Sequence, residues 1–167
     1  WSAATFWLQI AALTEKCHIQ LNGLYQKSMQ GDARVRTIFK NFGIASVFEN
    51  NALILTKNKI QNLPKSIDLI DTPDMYQCLK CTLFALNKTT KITGVSTLKN
   101  KETDRVKAVE NELKKLSTNK IIDTYKDHRM AMSFTPLSLK YGELTIKNNE
   151  VVSKSYPNFW QDLSRAG

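Results

Sequence analysis

Cysteine is scarce in this sequence, and several other features are missing altogether. Three cysteines in 167 residues are too few for a disulfide framework, so a reducing cytoplasm is the expected compartment, and no signal-peptide pattern contradicts it. No apolar run approaches the ~20 residues of a membrane span; the longest, Ala3 to Leu13, is broken by Thr5 and Gln9. Lys and Arg outnumber Asp and Glu by 24 to 15, giving a formal charge of +9, yet no run of five or more basic residues occurs. Spread positive charge suits phosphorylated or carboxylated small molecules better than a nucleic-acid tail. Pro, Gly and Ser nowhere gather into a linker, so the chain reads as one unit. No Walker loop, GxGxxG, nucleophile elbow or HExxH is present. A zinc site at Cys78-Leu79-Lys80-Cys81 needs two more ligands, for which only Cys17 and His18 offer themselves. A redox CxxC usually opens a helix, whereas this one lies a turn inside with Cys78 on the buried stripe. Core cysteines are expected, and no metal or cofactor.

What is present is an α/β pattern. Hydrophobic content of 42% and charged content of 23% are those of a globular domain. The chain opens at Trp1 in a dense apolar helix, WSAATFWLQIAAL, which leads us to expect a piece of a longer protein. At an offset of 71 residues, Leu21-Asn22-Gly23-Leu24 lines up with Ile92-Thr93-Gly94-Val95, and Arg34-Val35 with Arg105-Val106. Each copy reads as a strand ending at Gly, a loop and an amphipathic helix. A third follows: a strand over Glu143 to Ile146, then a helix from Pro157 to Ser164 with the proline at its start. Such repeats imply pseudo-symmetry. After the first helix, IASVFE and ALILT flank Asn50-Asn51, a hairpin signal. After the second, LKKL passes through STNK straight to IIDTY, so a hairpin is expected to be missing near 117–120. Thr72-Pro73-Asp74 opens another helix, with Thr72 as cap. A further one starts near Asp127, with Met130, Phe134, Leu137 and Tyr141 on one face and a break at Pro136.

The segment NKETDRVKAVENELKKL, residues 100–116, holds the main candidates. Val106, Val109, Leu113 and Leu116 recur at helical spacing. At roughly 100° per residue, Glu102 falls on the midline of that stripe, so a partly buried carboxylate beside Lys101 and Arg105 is expected. Solvated residues in a first turn are the ordinary alternative. Proton transfer next to an anion is the functional one. Asp74 by itself reads as a first-turn aspartate. Arg129, in YKDHRMAM, can offer a planar fork to a carboxylate or phosphate. His128 reads as a packed histidine, and Lys154 as a solvated lysine.

Together these motifs resemble a known family. KETDRVKAVENELKKL resembles the KETDR helix of the 5-enolpyruvylshikimate-3-phosphate synthases, TYKDHRMAMSF their DHRMAM segment, and SKSYPNFW their C-terminal KSYPNF-like ending. WSAATFW and KSMQGDARV are similar to the family's SSASY and NSMQGD stretches. The match runs in order along the whole chain. It implies the enolpyruvyl transferase fold, in which each of two domains is built of three βαβαββ units with pseudo-threefold symmetry. Residues 1–167 then correspond to the C-terminal domain, with the N-terminal domain outside this chain.

The family transfers the enolpyruvyl group of phosphoenolpyruvate to the 5-hydroxyl of shikimate 3-phosphate, in the shikimate pathway to chorismate and the aromatic amino acids. The resemblance implies a hydroxyl-side proton acceptor at Asp74 and an acid–base group for the enol carbon at Glu102. Lys101 is implied to touch the sugar-like substrate and to share in proton transfer. Arg105, Arg129 and Lys154 are implied to hold phosphoenolpyruvate. Some members place an Asn on the shikimate phosphate where this chain has Thr97. The resemblance further implies a monomeric full-length enzyme without metal, membrane or nucleic acid, and an inactive isolated fragment. A transferase of the same fold acting on UDP-N-acetylglucosamine is the nearest enzymatic alternative. A basic nucleic-acid module stacking on Tyr156, Phe159 and Trp160 is the alternative from another class.

Overall fold

The computed structural model describes residues 1–28 and 31–166; Met29 and Gln30 of the KSMQGD stretch, and Gly167, lie outside the described residues. The chain enters through α1 (Ser2–Leu13), buried at every residue from Ala4 to Leu13. A helix enclosed on all sides is apolar all round, which is why this stretch shows no amphipathic period. Its two buried polar side chains are bonded: Thr5 Oγ1 donates to the Trp1 carbonyl at 3.2 Å and Gln9 Nε2 to the Ser133 carbonyl at 2.8 Å.

After α1 come β1 (His18–Asn22), α2 (Val35–Lys40), β2 (Ile44–Glu49) and β3 (Ala52–Lys57). β2 and β3 form the expected hairpin. Asn50 and Asn51 both take positive φ, 47° and 61°, the turn geometry whose twist matches antiparallel strands. β3 lies between β1 and β2, antiparallel to both.

The rest of the chain alternates strand and helix. β4 (Ser66–Asp68) and β5 (Lys91–Thr93) pair in parallel across α3 (Tyr76–Ala85). After α4 (Arg105–Lys115), β6 (Ile121–Ile122) and β7 (Thr145–Ile146) do the same across α5 (His128–Phe134). Parallel pairs need such a crossover. Pro136 sits at the start of the 3-10 turn Thr135–Leu137 that ends α5, ahead of α6 (Ser138–Tyr141). Without an N–H it cannot continue the ladder. The last helix, α7 (Phe159–Ala166), begins two residues after Pro157 rather than at it. A turn closed by the Phe159 amide on the Tyr156 carbonyl comes first.

The interior helices α1, α3 and α5 pack on one another at the centre; α1 and α3 lead into β1 and β5, and α5 reaches β7 through the 3-10 turn and α6. This is the α/β arrangement that the repeat and the family resemblance imply. β1–Gly23–α2 mirrors β5–Gly94–α4, with φ of +76° and +74° at the two glycines. At Gly94 a Cβ would stand 2.2 Å from the Ile70 nitrogen, so close approach as well as φ reserves this position for glycine. The repeat is uneven. Between α4 and β6 the described chain has no hairpin; Ser117 to Lys120 make a turn in which the Thr118 and Asn119 amides donate to the Lys115 carbonyl at 2.9 and 2.8 Å.

Cys78 and Cys81 are buried in the core on α3. Cys78 Sγ donates to the Thr5 carbonyl at 3.5 Å, and burial pushes both thiols far up, so they stay uncharged.

Candidate active site

One buried guanidinium gathers the site. Arg105, at the first position of α4, is 2% exposed. Its Nε donates to Asp127 Oδ2 at 2.7 Å, Nη1 to Asp74 Oδ1 at 2.6 Å, and Nη2 to Glu102 Oε2 at 2.7 Å. The charge-assisted bonds explain how an arginine is tolerated on a buried helix face. Lys101 Nζ lies 3.5 Å from Asp74 Oδ1, and Arg129 Nη2 lies 3.5 Å from Asp74 Oδ2. Arg129 Nη1 also donates to the Asp74 carbonyl at 3.2 Å. Asp74, Lys101, Glu102, Arg105 and Arg129 thus converge from three separate segments, near the starts of α3, α4 and α5.

The burial of Glu102 departs from expectation. Asp104 takes the cap of α4, its Oδ1 accepting the Lys107 amide at 3.2 Å, so Glu102 precedes the helix and the helical wheel does not reach it. Its side chain is 37% exposed, and the buried residue is Arg105, which the sequence reading treats as a flanking cation. Thr72, the expected cap at Pro73–Met75, occupies that position without a side-chain bond.

Burial acts to raise the Asp74 carboxyl, but Arg129, Arg105 and Lys101 outweigh it and hold it below its ordinary range. Asp74 is therefore ionised at neutral pH. Lys154 stands apart from this cluster. Its Nζ donates to the Lys126 carbonyl at 3.2 Å, next to Asp127 in the chain.

Two carboxylates escaped the sequence reading. Asp127 is fully buried; it caps α5, accepts the Arg129 amide at 2.8 Å and binds Arg105. Glu112, 1% exposed on α4, accepts from the Asp123 amide at 3.2 Å and from Tyr125 Oη at 2.8 Å. It braces a turn in which Tyr125 and Lys126 both carry positive φ. Such a pair of non-glycine residues is held by its surroundings. The only signal for Glu112 is its place among Val109, Leu113 and Leu116 on the buried stripe.

Glu102, Asp127 and His128 bring ligand atoms within 4.8 Å of one another. The Arg105 guanidinium already binds both carboxylates, so a metal cation there would have to displace a buried positive charge. The geometry favours an ion-paired site.

His128 is mostly buried, and its Nδ1 makes no hydrogen bond among the described residues. Burial lowers its pKa; Asp127 opposes this, while Arg129 adds to the lowering. Below its ordinary value of 6.5 the unfolded chain binds a proton that the folded chain refuses, so stability falls as pH drops through that window. Urea midpoints between about pH 7 and 5 are expected to decline in the wild type and to decline less in His128→Gln.

Thr97 lies exposed in the 3-10 turn Ser96–Asn100. Among the described residues, no helix is long and apolar enough to cross a membrane.

A family model described as EPSP synthase (3-phosphoshikimate 1-carboxyvinyltransferase) matches residues 1–163. A 3-phosphoshikimate 1-carboxyvinyltransferase of Bacteroides fragilis is 39% identical over 190 residues, covering 100% of this chain and 46% of that protein. One from Methanospirillum hungatei is 32% identical over 182 residues, covering 98% and 42%. An EPSP synthase structure from Acinetobacter baumannii superposes with a TM-score of 0.77 at 24% identity, covering 99% of this chain and 45% of that one; it establishes the fold. The chain spans about half the length of the curated relatives it matches. With nearly every residue inside the family match and the fold shared, the chain belongs to the EPSP synthase family.

Proposed function

We propose that these residues form the C-terminal domain of an enzyme that transfers the enolpyruvyl group of phosphoenolpyruvate to the 5-hydroxyl of shikimate 3-phosphate. The observation that carries this reading is the meeting of Asp74, Lys101, Glu102, Arg105 and Arg129 in one cluster. In the addition step, the hydroxyl oxygen bonds to C2 of phosphoenolpyruvate while its proton passes to Asp74. The methylene carbon gains a proton, giving a tetrahedral intermediate. In the elimination step that carbon loses a proton, the C2–O bond to phosphate breaks, and inorganic phosphate leaves. Glu102, the most exposed carboxylate of the cluster, is placed to serve the methylene carbon, with Lys101 beside it. Arg105, Arg129 and Lys154 bind the phosphate and carboxylate of phosphoenolpyruvate, where planar forks outperform point charges. Asp74 also touches the shikimate hydroxyls.

The remaining contacts belong to an N-terminal domain, so the 167 residues alone are expected to turn over negligibly. The full-length enzyme is read as a cytoplasmic monomer, in keeping with the free thiols. The alignment with the Bacteroides fragilis relative runs over 190 residues against 167 here, in keeping with a hairpin-sized segment missing from this chain, which we assign to the region near 117–120. The test is phosphate release by the full-length protein with phosphoenolpyruvate and either acceptor. Release with shikimate 3-phosphate supports the reading; release dependent on UDP-N-acetylglucosamine instead overturns it.

A further inference from the structure

Gln77 is the second residue of α3 and is fully buried. An amide inside a central helix is unfavourable unless it is bonded. Its Oε1 makes no hydrogen bond among the described residues, while its Nε2 donates to Asp127 Oδ2 at 3.1 Å. The same oxygen accepts Arg105 Nε at 2.7 Å. The other Asp127 oxygen takes the Arg129 amide at 2.8 Å and faces Arg105 Nη2 at 3.5 Å. Asp127 is therefore held by donors from α3, α4 and α5 at once, and Gln77 supplies the α3 side.

This matters for the arginine because Nε lies on its stem. The carboxylate that binds Nε sets the plane of the whole guanidinium and the aim of Nη1 and Nη2. We infer that Gln77 is a positioning residue: by fixing Asp127 it orients the Arg105 fork for the anion that fork receives. The inference rests on Arg105 binding phosphoenolpyruvate. It predicts a larger effect on phosphoenolpyruvate than on shikimate 3-phosphate, which Arg105 meets only through its bond to Asp74.

The experiment is a double-mutant cycle in the full-length protein, read by initial rates of phosphate release. Gln77→Met keeps volume and burial while removing the donor. It is expected to raise KM for phosphoenolpyruvate about tenfold, leaving KM for shikimate 3-phosphate within about twofold. In an Arg105→Lys background the same change should have no further effect, because the two residues act as one unit. Gln77→Asn, polar but too short to reach Asp127, should behave like Gln77→Met and serves if the latter folds poorly. Unchanged KM for phosphoenolpyruvate overturns the inference, and so does an equal loss in both backgrounds. A wild-type protein without turnover overturns instead the parent reading of function.

Discussion

Arg105→Ala is expected to destabilise the domain by about 3–5 kcal/mol, the range for removing one partner of a buried ion pair. Most of that loss comes from one of its three carboxylates. Asp74 and Glu102 are 30% and 37% exposed, so water takes over much of what the arginine supplied, and such pairs are worth about 0–1 kcal/mol each. Asp127 is 0% exposed, and without Arg105 its charge keeps only neutral donors. The double variant Arg105→Ala, Asp127→Asn should recover part of the loss, since it removes the orphaned charge. Urea unfolding of the three proteins measures both effects. If Arg105→Ala lies within about 1 kcal/mol of wild type, the buried pair is not what holds this corner together.

Glu102→Gln is expected to do the opposite, sparing stability and removing activity. In the full-length protein turnover should fall roughly 10²–10⁴-fold, the usual worth of a positioned acid–base group. The melting point should barely move, because the Glu102–Arg105 pair is partly solvated and glutamine retains an acceptor for Nη2. A structural role for Glu102 predicts the reverse pattern. An unchanged rate removes it from proton transfer.

Much of this was readable beforehand, and the failures share a cause. The Asn50–Asn51 hairpin, the Pro136 break and the buried cysteines follow from local chemistry: tolerance of positive φ, a missing N–H, an apolar stripe. The internal pseudo-symmetry was visible because Gly23 and Gly94 serve the same turn in two copies, and its threefold form came from the family resemblance. Glu102 was misplaced because periodicity says nothing about where a helix begins; Asp104, two residues on, decides that. Arg105 was expected beside a buried Glu102 rather than as the buried residue itself, because burying a guanidinium depends on carboxylates 31 and 22 residues away, a coincidence no local window contains. Asp127 and Glu112 went unassigned for the same reason. A lone buried acid signals function only once its distant partners are in place.

Those separations have a thermodynamic consequence. Asp74, the 101–105 segment and the 127–129 segment meet only in the finished tertiary structure, so on the proposed function a substrate anion is bound by the native state alone. Occupancy is then linked to global unfolding: ligand at about a hundred times its dissociation constant adds about 2.7 kcal/mol. A melting curve followed against phosphoenolpyruvate concentration becomes a gauge of affinity that does not depend on turnover.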